Sequence, residues 1–481
     1  MKLVTRFVLA IVVFTSAGWA QWSSDPNRNL ALSDIPNADQ VQPKLLPVPN
    51  DSWYVSWFNA NPNDPPPNGY DVYYQLLSPG GVERLPHDGV QVAKLGVSST
   101  QDYGLDVDSQ GNALLTFLDD RENGNQQITA AKMSPSGQPL WGPLGVQLTN
   151  DLTSFHADPK IAATSDGGTV VGWTSDNYVV LQRLDANGHP KWPWSSTFYH
   201  GIVLGEPGYN YVLADIHASD NGSVIISWVR SRGFSGNKYL YANKVSATGH
   251  LLWGAGHVKV FDGGSLQFGE FPYFLSDGNG GAVFAWYSSS PNLQCFAQHI
   301  LANGAEGFPH NGTQASTDLS NVRVAPTVSY WPATHETFLF WTEEDSNQFF
   351  NGISAQKFDA AGNRQWGDTG RVIVPLGSDS QIFATSVQIG TGALAFWFDQ
   401  PGYGSGTIQA IKLDGAGSVV CPQFGVSTAS ADKIRLAAGI ASSGLAALVW
   451  EDDRNGSNDI YIQNVNPDCS LGQQGRTHLR P

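Results

Sequence analysis

Eight aromatic side chains, each closing a short apolar run, recur along this chain as Trp57, Phe117, Trp173, Trp228, Trp286, Trp341, Trp397 and Trp450. The steps between them are 60, 56, 55, 58, 55, 56 and 53 residues. A repeat this short cannot bury both faces of a sheet alone, so its copies must pack on one another. Before most of the aromatics lies a glycine-bearing turn, as in SDGGTVVGW from Ser165, SDNGSVIISW from Ser219 and SSGLAALVW from Ser442. Glycine, asparagine and aspartate accept the positive φ that such reversals require. After each aromatic come a polar loop and a third extended run, often carrying an amide side chain: Gln75, Gln182, Asn243, Gln298, Gln356 and Gln463. A further turn ends in glycine, and four residues later stands a bulky residue. The pairs are Gly81 and Leu85, Gly137 and Trp141, Gly188 and Trp192, Gly249 and Trp253, Gly304 and Phe308, Gly362 and Trp366, Gly417 and Cys421.

Each unit thus supplies four short strands joined by turns. The 52 glycines, 16 tryptophans and 14% charged residues, against an average of roughly 25% charged, agree with turn-rich β structure. Four-stranded sheets arranged radially make a β-propeller. The count predicts an all-β, eight-bladed β-propeller of four-stranded antiparallel blades. Blades are expected at about 39–96, 97–150, 151–205, 206–264, 265–317, 318–377, 378–430 and 431–474. The eighth unit stops after YIQNVNPDCSLG without a fourth strand, leaving a tail at 475–481. The missing piece stands at the other end, where QWSSDPNRNLALSD from Gln21 is similar to LWGPLGVQLTND from Leu140. Residues 21–38 are therefore expected to supply the outer strand of the last blade, which removes an exposed edge. An open two-sheet solenoid or several small β-domains would be less economical.

The run of an aromatic, an acidic-basic loop, a glycine turn and WG, as in WEDDRNGSNDIYIQ from Trp450 and FLDDRENGNQQITAAK from Phe117, resembles tandem repeats of secreted bacterial β-propeller proteins. The resemblance covers nearly all of the chain beyond residue 20. It implies a fold and no single activity.

Residues 1–20 read as a secretory signal peptide: Lys2 and Arg6, an apolar run from Phe7 to Phe14, then Ala17-Gly18-Trp19-Ala20 before the expected cut. No later stretch is long and apolar enough to span a bilayer. The chain is expected outside the cell or in the periplasm, as a monomer. Its net charge of −16, or −18 once Lys2 and Arg6 are removed, repels a phosphate backbone and excludes nucleic acid as a partner. With three cysteines no disulfide framework holds the fold. Cys295 reads as a buried thiol. Cys421 and Cys469, at the ends of successive repeats, are a candidate pair.

With the closing strand outermost, the loop between second and third strands shares a face with the connection into the next blade. Two places after each aromatic stand Asn59, Asp119, Ser175, Arg230, Ser288, Glu343, Asp399 and Asp452. The acids of blades two, six, seven and eight form an arc, extended by Asp120, Glu344, Asp345, Glu451 and Asp453. Such an arc suits Ca²⁺, the one cofactor considered, or a cationic or polyhydroxylated partner. The alternative is local pairing with Arg121 and Arg454 in solvated ion pairs worth ~0–1 kcal/mol. Asp106-Val107-Asp108 before Gly111 lacks the later ligands of a calcium loop and reads as a turn. His156 and Asp158, in SFHADPKI, are the histidine–acid pair expected near the channel mouth, with a structural role as the alternative to a functional one. Tyr103, Tyr211, Phe271 and Phe383 are read as lying just before inner strands and are candidates to line it; the alternative is that they are core.

Sialidase chemistry wants three arginines on a carboxylate. Arg121, Arg230, Arg323, Arg435 and Arg454 are the available candidates, but the SDGG turns lack the spacing of aspartate boxes. No HExxH, GxSxG or GxxxxGK[ST] motif occurs. The expectation is a secreted, non-enzymatic propeller presenting loops to a protein or glycan. Its rival is a carbohydrate-active hydrolase or lyase working through acids of the arc.

Overall fold

The computed structural model describes residues 21–60, 69–97, 102–122, 125–193, 201–290, 292–402 and 404–473. Residues 1–20, read above as a signal peptide, and the tail from 475 lie outside them. Eight antiparallel sheets form an eight-bladed β-propeller, and in all but the last the strands follow one another in sequence from first to fourth. Blade 1 consists of Gln40–Val48, Ser52–Ala60, Tyr70–Leu77 and Val90–Val97. First strands of successive blades lie against one another, which places them around the central channel. Among the described residues no helix is long and apolar enough to cross a membrane.

The last blade is assembled from both ends of the chain. Lys433–Ile440, Ala446–Asp452 and Asp459–Val465 provide its first three strands, and Leu30–Ser33 its fourth. Leu30 stands opposite Ile462 and Ser33 opposite Ile460. The pairing strand is shorter than the sequence similarity suggests, because the segment before it crosses between blades instead. Pro26 accepts a hydrogen bond from Thr428 N in blade 7 at 2.9 Å. The Trp22 indole N–H donates to the carbonyl of Pro79 in blade 1 at 2.7 Å.

The repeat's conserved spacings have separate physical causes. The eight second-strand aromatics are fully buried and lie between sheets. The glycine and the bulky residue four places later belong to different seams: each bulky side chain packs on the turn glycine of the next blade. Trp141 donates to Ala186 O, Trp192 to Ala247 O and Trp253 to Ala302 O, each at 3.0 Å. At Gly304, with φ +84°, a Cβ would lie 2.8 Å from the Trp253 ring, so both backbone and packing require glycine. Trp22 makes the same contact on Gly81 and so closes the ring.

The seam between blades 7 and 8 departs from this rule. Cys421 takes the bulky position, Cys469 takes the glycine position at φ 68°, and the two form a disulfide. Cys295 is free and buried. The third-strand amides tie down the chain after each turn: Gln182 Oε1 accepts Trp192 N at 3.0 Å and Gln356 Oε1 accepts Trp366 N at 3.0 Å. Asn243 and Gln298 do the same for Trp253 and Phe308.

Candidate functional site

The acids two places after the aromatics end their strands on the expected face, where Asp432 N donates to Asp453 Oδ1 at 2.8 Å across loop and connector. They are pinned inside the blades. Asp452 is fully buried and accepts from the Trp450 indole at 3.0 Å and from Arg454 Nε at 2.8 Å, and Lys433 Nζ stands 3.2 Å away. Burial alone would raise its pKa, but Arg454 and Lys433 hold it below the usual carboxylate value. Glu343 accepts from Trp341 at 2.7 Å and from the buried Arg323 at 2.8 Å. In blade 7 Gln381 links Trp397 to Asp399. Asp119 is buried and accepts from Thr129 Oγ1.

Glu451 is buried against Arg435 at 2.7 Å and Gln42 N at 2.6 Å. Asp345 caps its own loop by accepting from Phe349 N at 2.7 Å and Phe350 N at 2.8 Å. Asp120 and Glu344 are half-buried at blade tops; the side chain of Arg121 lies outside the described residues. The arc is thus a set of local pins, several too deep to be solvated surface pairs. Four of the five candidate arginines are held by different carboxylates: Arg230 by Glu206, Arg323 by Glu343, Arg435 by Glu451 and Arg454 by Asp452.

His156 and Asp158 part company. The imidazole is buried between Asp151 at 3.0 Å and Ser175 at 3.1 Å, and burial lowers its pKa. Asp158 sits at a bulge of the first strand, φ 47°, and joins a charged group in the channel. Asp108 is an ordinary turn cap, accepting from Gln110 N and Asn112 N at 2.9 Å and paired with Lys132. Among the described residues, the one set of three carboxylate or histidine groups close enough to share an ion is Asp34, His87 and Asp88, where the closing strand ends beside blade 1.

The channel itself holds the arrangement that the second-strand pattern does not reveal. Five first strands carry a bulge whose residue has a positive φ: Gln42, Asp158, Ala325, Phe383 and Arg435. A non-glycine residue in that region costs about 1–3 kcal/mol and persists only where its surroundings impose it. On one side the channel is ionic. Lys44 Nζ lies 2.7 Å from Asp102 Oδ1, Lys160 grips the other oxygen, and Asp215 accepts from His217 at 3.0 Å. Burial opposes the charge on Asp102, yet the two lysines hold its carboxyl well below the carboxylate range. Asp215 likewise raises His217 against the effect of burial.

On the other side it is aromatic. The first strand of blade 5 is split into Ser265–Leu266 and Phe274–Ser276, and the segment between loops out. Glu270 Oε1 accepts Tyr287 N at 2.9 Å in that gap, and burial raises its pKa well above the ordinary value. The loop delivers Phe271 and Tyr273, each 44% exposed, to a cavity of about 610 Å³ that also receives Phe383, 58% exposed. Lys44 reaches the same cavity from across the channel. Of the four aromatics expected here, Phe271 and Phe383 line it, whereas Tyr103 and Tyr211 are buried. The recurrent Gln42-Pro43-Lys44, Asp158-Pro159-Lys160 and Ala325-Pro326-Thr327 are the sequence signal that marks these bulges.

No family model and no curated protein matches the chain. Among solved structures it is similar to prolyl oligopeptidase B from Galerina marginata, at 13% identity and TM-score 0.45, over 86% of this chain and 56% of that one. The chain therefore spans little more than half of that enzyme's length. A protein of unknown function from Dyadobacter fermentans matches at 12% identity and TM-score 0.39, over 78% and 94%. An endo-1,5-alpha-L-arabinanase from Thermotoga petrophila matches at 13% and 0.30, over 63% and 80%. Likeness at this level says nothing about the site.

Proposed function

We propose that this propeller is a secreted, non-enzymatic binding protein that takes a glycan at the aromatic side of its central channel. The observation that supports the reading is Phe383: an aromatic side chain kept in a left-handed backbone conformation yet largely exposed, facing the same cavity as Phe271 and Tyr273. Exposed rings in a concave site offer apolar faces to sugar C–H groups while nearby hydroxyls and Lys44 serve the sugar oxygens. Hydrolysis by a carboxylate pair has less support, because Glu270 is the single carboxyl among the residues that line the cavity.

The test is calorimetry with neutral oligosaccharides against the wild type and Phe383→Gly. Binding that weakens about tenfold or more in the variant, without loss of thermal stability, supports the reading. Unchanged affinity, or release of reducing ends by the wild type that disappears in Glu270→Gln, would overturn it. Asp452→Asn is not a useful probe of chemistry, since that carboxylate is a buried structural partner.

A further inference from the structure

On a chain of net charge −16, blade 4 carries two cations, Arg232 and Lys238, close together at one loop. The loop between its second and third strands carries Arg232, and Lys238 opens the third strand. Among the described residues neither makes a salt bridge; Lys238 Nζ instead reaches the carbonyls of Phe234 and Gly236 at 3.3 Å and lies 5.2 Å above the Phe268 ring. Phe234 and Phe268 pack on each other at 4.9 Å although 78% and 61% exposed. Beside them is a pocket of about 240 Å³ lined by Tyr209, Arg230, Ser231, Arg232, Asn237 and Tyr239.

Its base is rigid. The Arg230 guanidinium lies 3.7 Å from the Tyr209 ring centre, donates to Tyr241 Oη at 3.1 Å and to Glu206 at 2.6 Å. Arg230 is thus already paired and acts as a wall, which leaves the exposed Arg232 fork as the free charge. The segment from Gln267 to Tyr273 links this patch, through Phe268, to the channel, through Phe271, but the two cavities share no lining residue.

We propose that this pocket binds a uronate residue of an acidic glycan, with the sugar ring against Tyr209 and Tyr239 and its carboxylate on Arg232. A planar carboxylate matches the guanidinium fork in a way that a neutral sugar cannot. Lys238 adds a point charge whose effect salt will screen. The volume admits one sugar ring, so the rest of a chain would run over the Phe234–Phe268 pair.

Calorimetry with a short oligogalacturonate and with its fully methyl-esterified form tests this. The acid is expected to bind at least about tenfold more tightly than the ester, and more weakly as salt is raised. Arg232→Gln should lose that preference and Arg232→Lys should restore only part of it. Arg232 is exposed, so neither change threatens the fold. Equal affinity for acid and ester, or an Arg232→Gln variant that binds like the wild type, would overturn the proposal. The preference for acid over ester is read at Arg232 and the binding of neutral oligosaccharides at Phe383, so that this reading and the channel reading fail separately.

Discussion

Cys469 occupies a backbone slot that the other seven repeats give to glycine, and Cys421 the slot that six of the seven others in the ring give to Trp, Leu or Phe four residues past a turn. A covalent bond thus replaces the contact of a ring on a bare backbone at that one seam. Cys421→Ser with Cys469→Ser should cost about 2–4 kcal/mol in urea unfolding. Cys421→Trp with Cys469→Gly should recover much of it under reducing conditions, because it restores the pair used elsewhere; no recovery would show that this seam differs in shape. Asp452 gives a second residue-scale expectation. Its replacement by Asn leaves Lys433 and Arg454 without the buried carboxylate they share, so a loss of about 3 kcal/mol is expected, well above the ~0–1 kcal/mol of a solvated pair. The acid's place in the repeat was legible in the sequence. Its burial was not, because spacing along a strand does not tell how deep the strand's end lies under the neighbouring loops.

At the scale of the element, the motif E-x-x-P-H-D/N-G occurs twice, as Glu83 to Gly89 and Glu306 to Gly312, and in both places makes the same staple. His87 bridges Glu83 at 3.0 Å and Asp34 of the closing strand's end at 3.1 Å; His310 bridges Glu306 at 2.8 Å and Asp262 at 3.1 Å. Hydrogen bonding to Glu83, and then to Asp34, outweighs burial and pushes His87 up to about 9. A histidine whose folded pKa exceeds its unfolded value near 6.5 contributes stability fully below 6.5 and loses it as pH rises through 9. Thermal stability should therefore decline between about pH 6.5 and 9, and His87→Gln should flatten part of that decline. An identical slope in the variant would show that the staple is too solvated to matter.

For the whole molecule the decisive feature is closure by the amino-terminal strand. Deleting Gln21 to Asp34 would expose the Ile460–Ile462 edge and empty the Trp22 position on Gly81, so melting should fall far more than on clipping 475–481; equal melting temperatures would count against closure. The sequence by itself determined the number of blades, their four-strand order and the sharing of the last one. Those follow from local chemistry repeated at a fixed period: a ring to bury, a glycine to turn, an amide to tie. What lines the channel was decided only in three dimensions. Lys44, Lys160 and Asp215 come from the first strands of blades 1, 3 and 4, where one-residue bulges change which side chain faces inward, while Asp102 stands just before the first strand of blade 2, and Glu270 and Tyr273 lie on the loop that splits that of blade 5. No spacing along the chain records which of these groups meet across the channel.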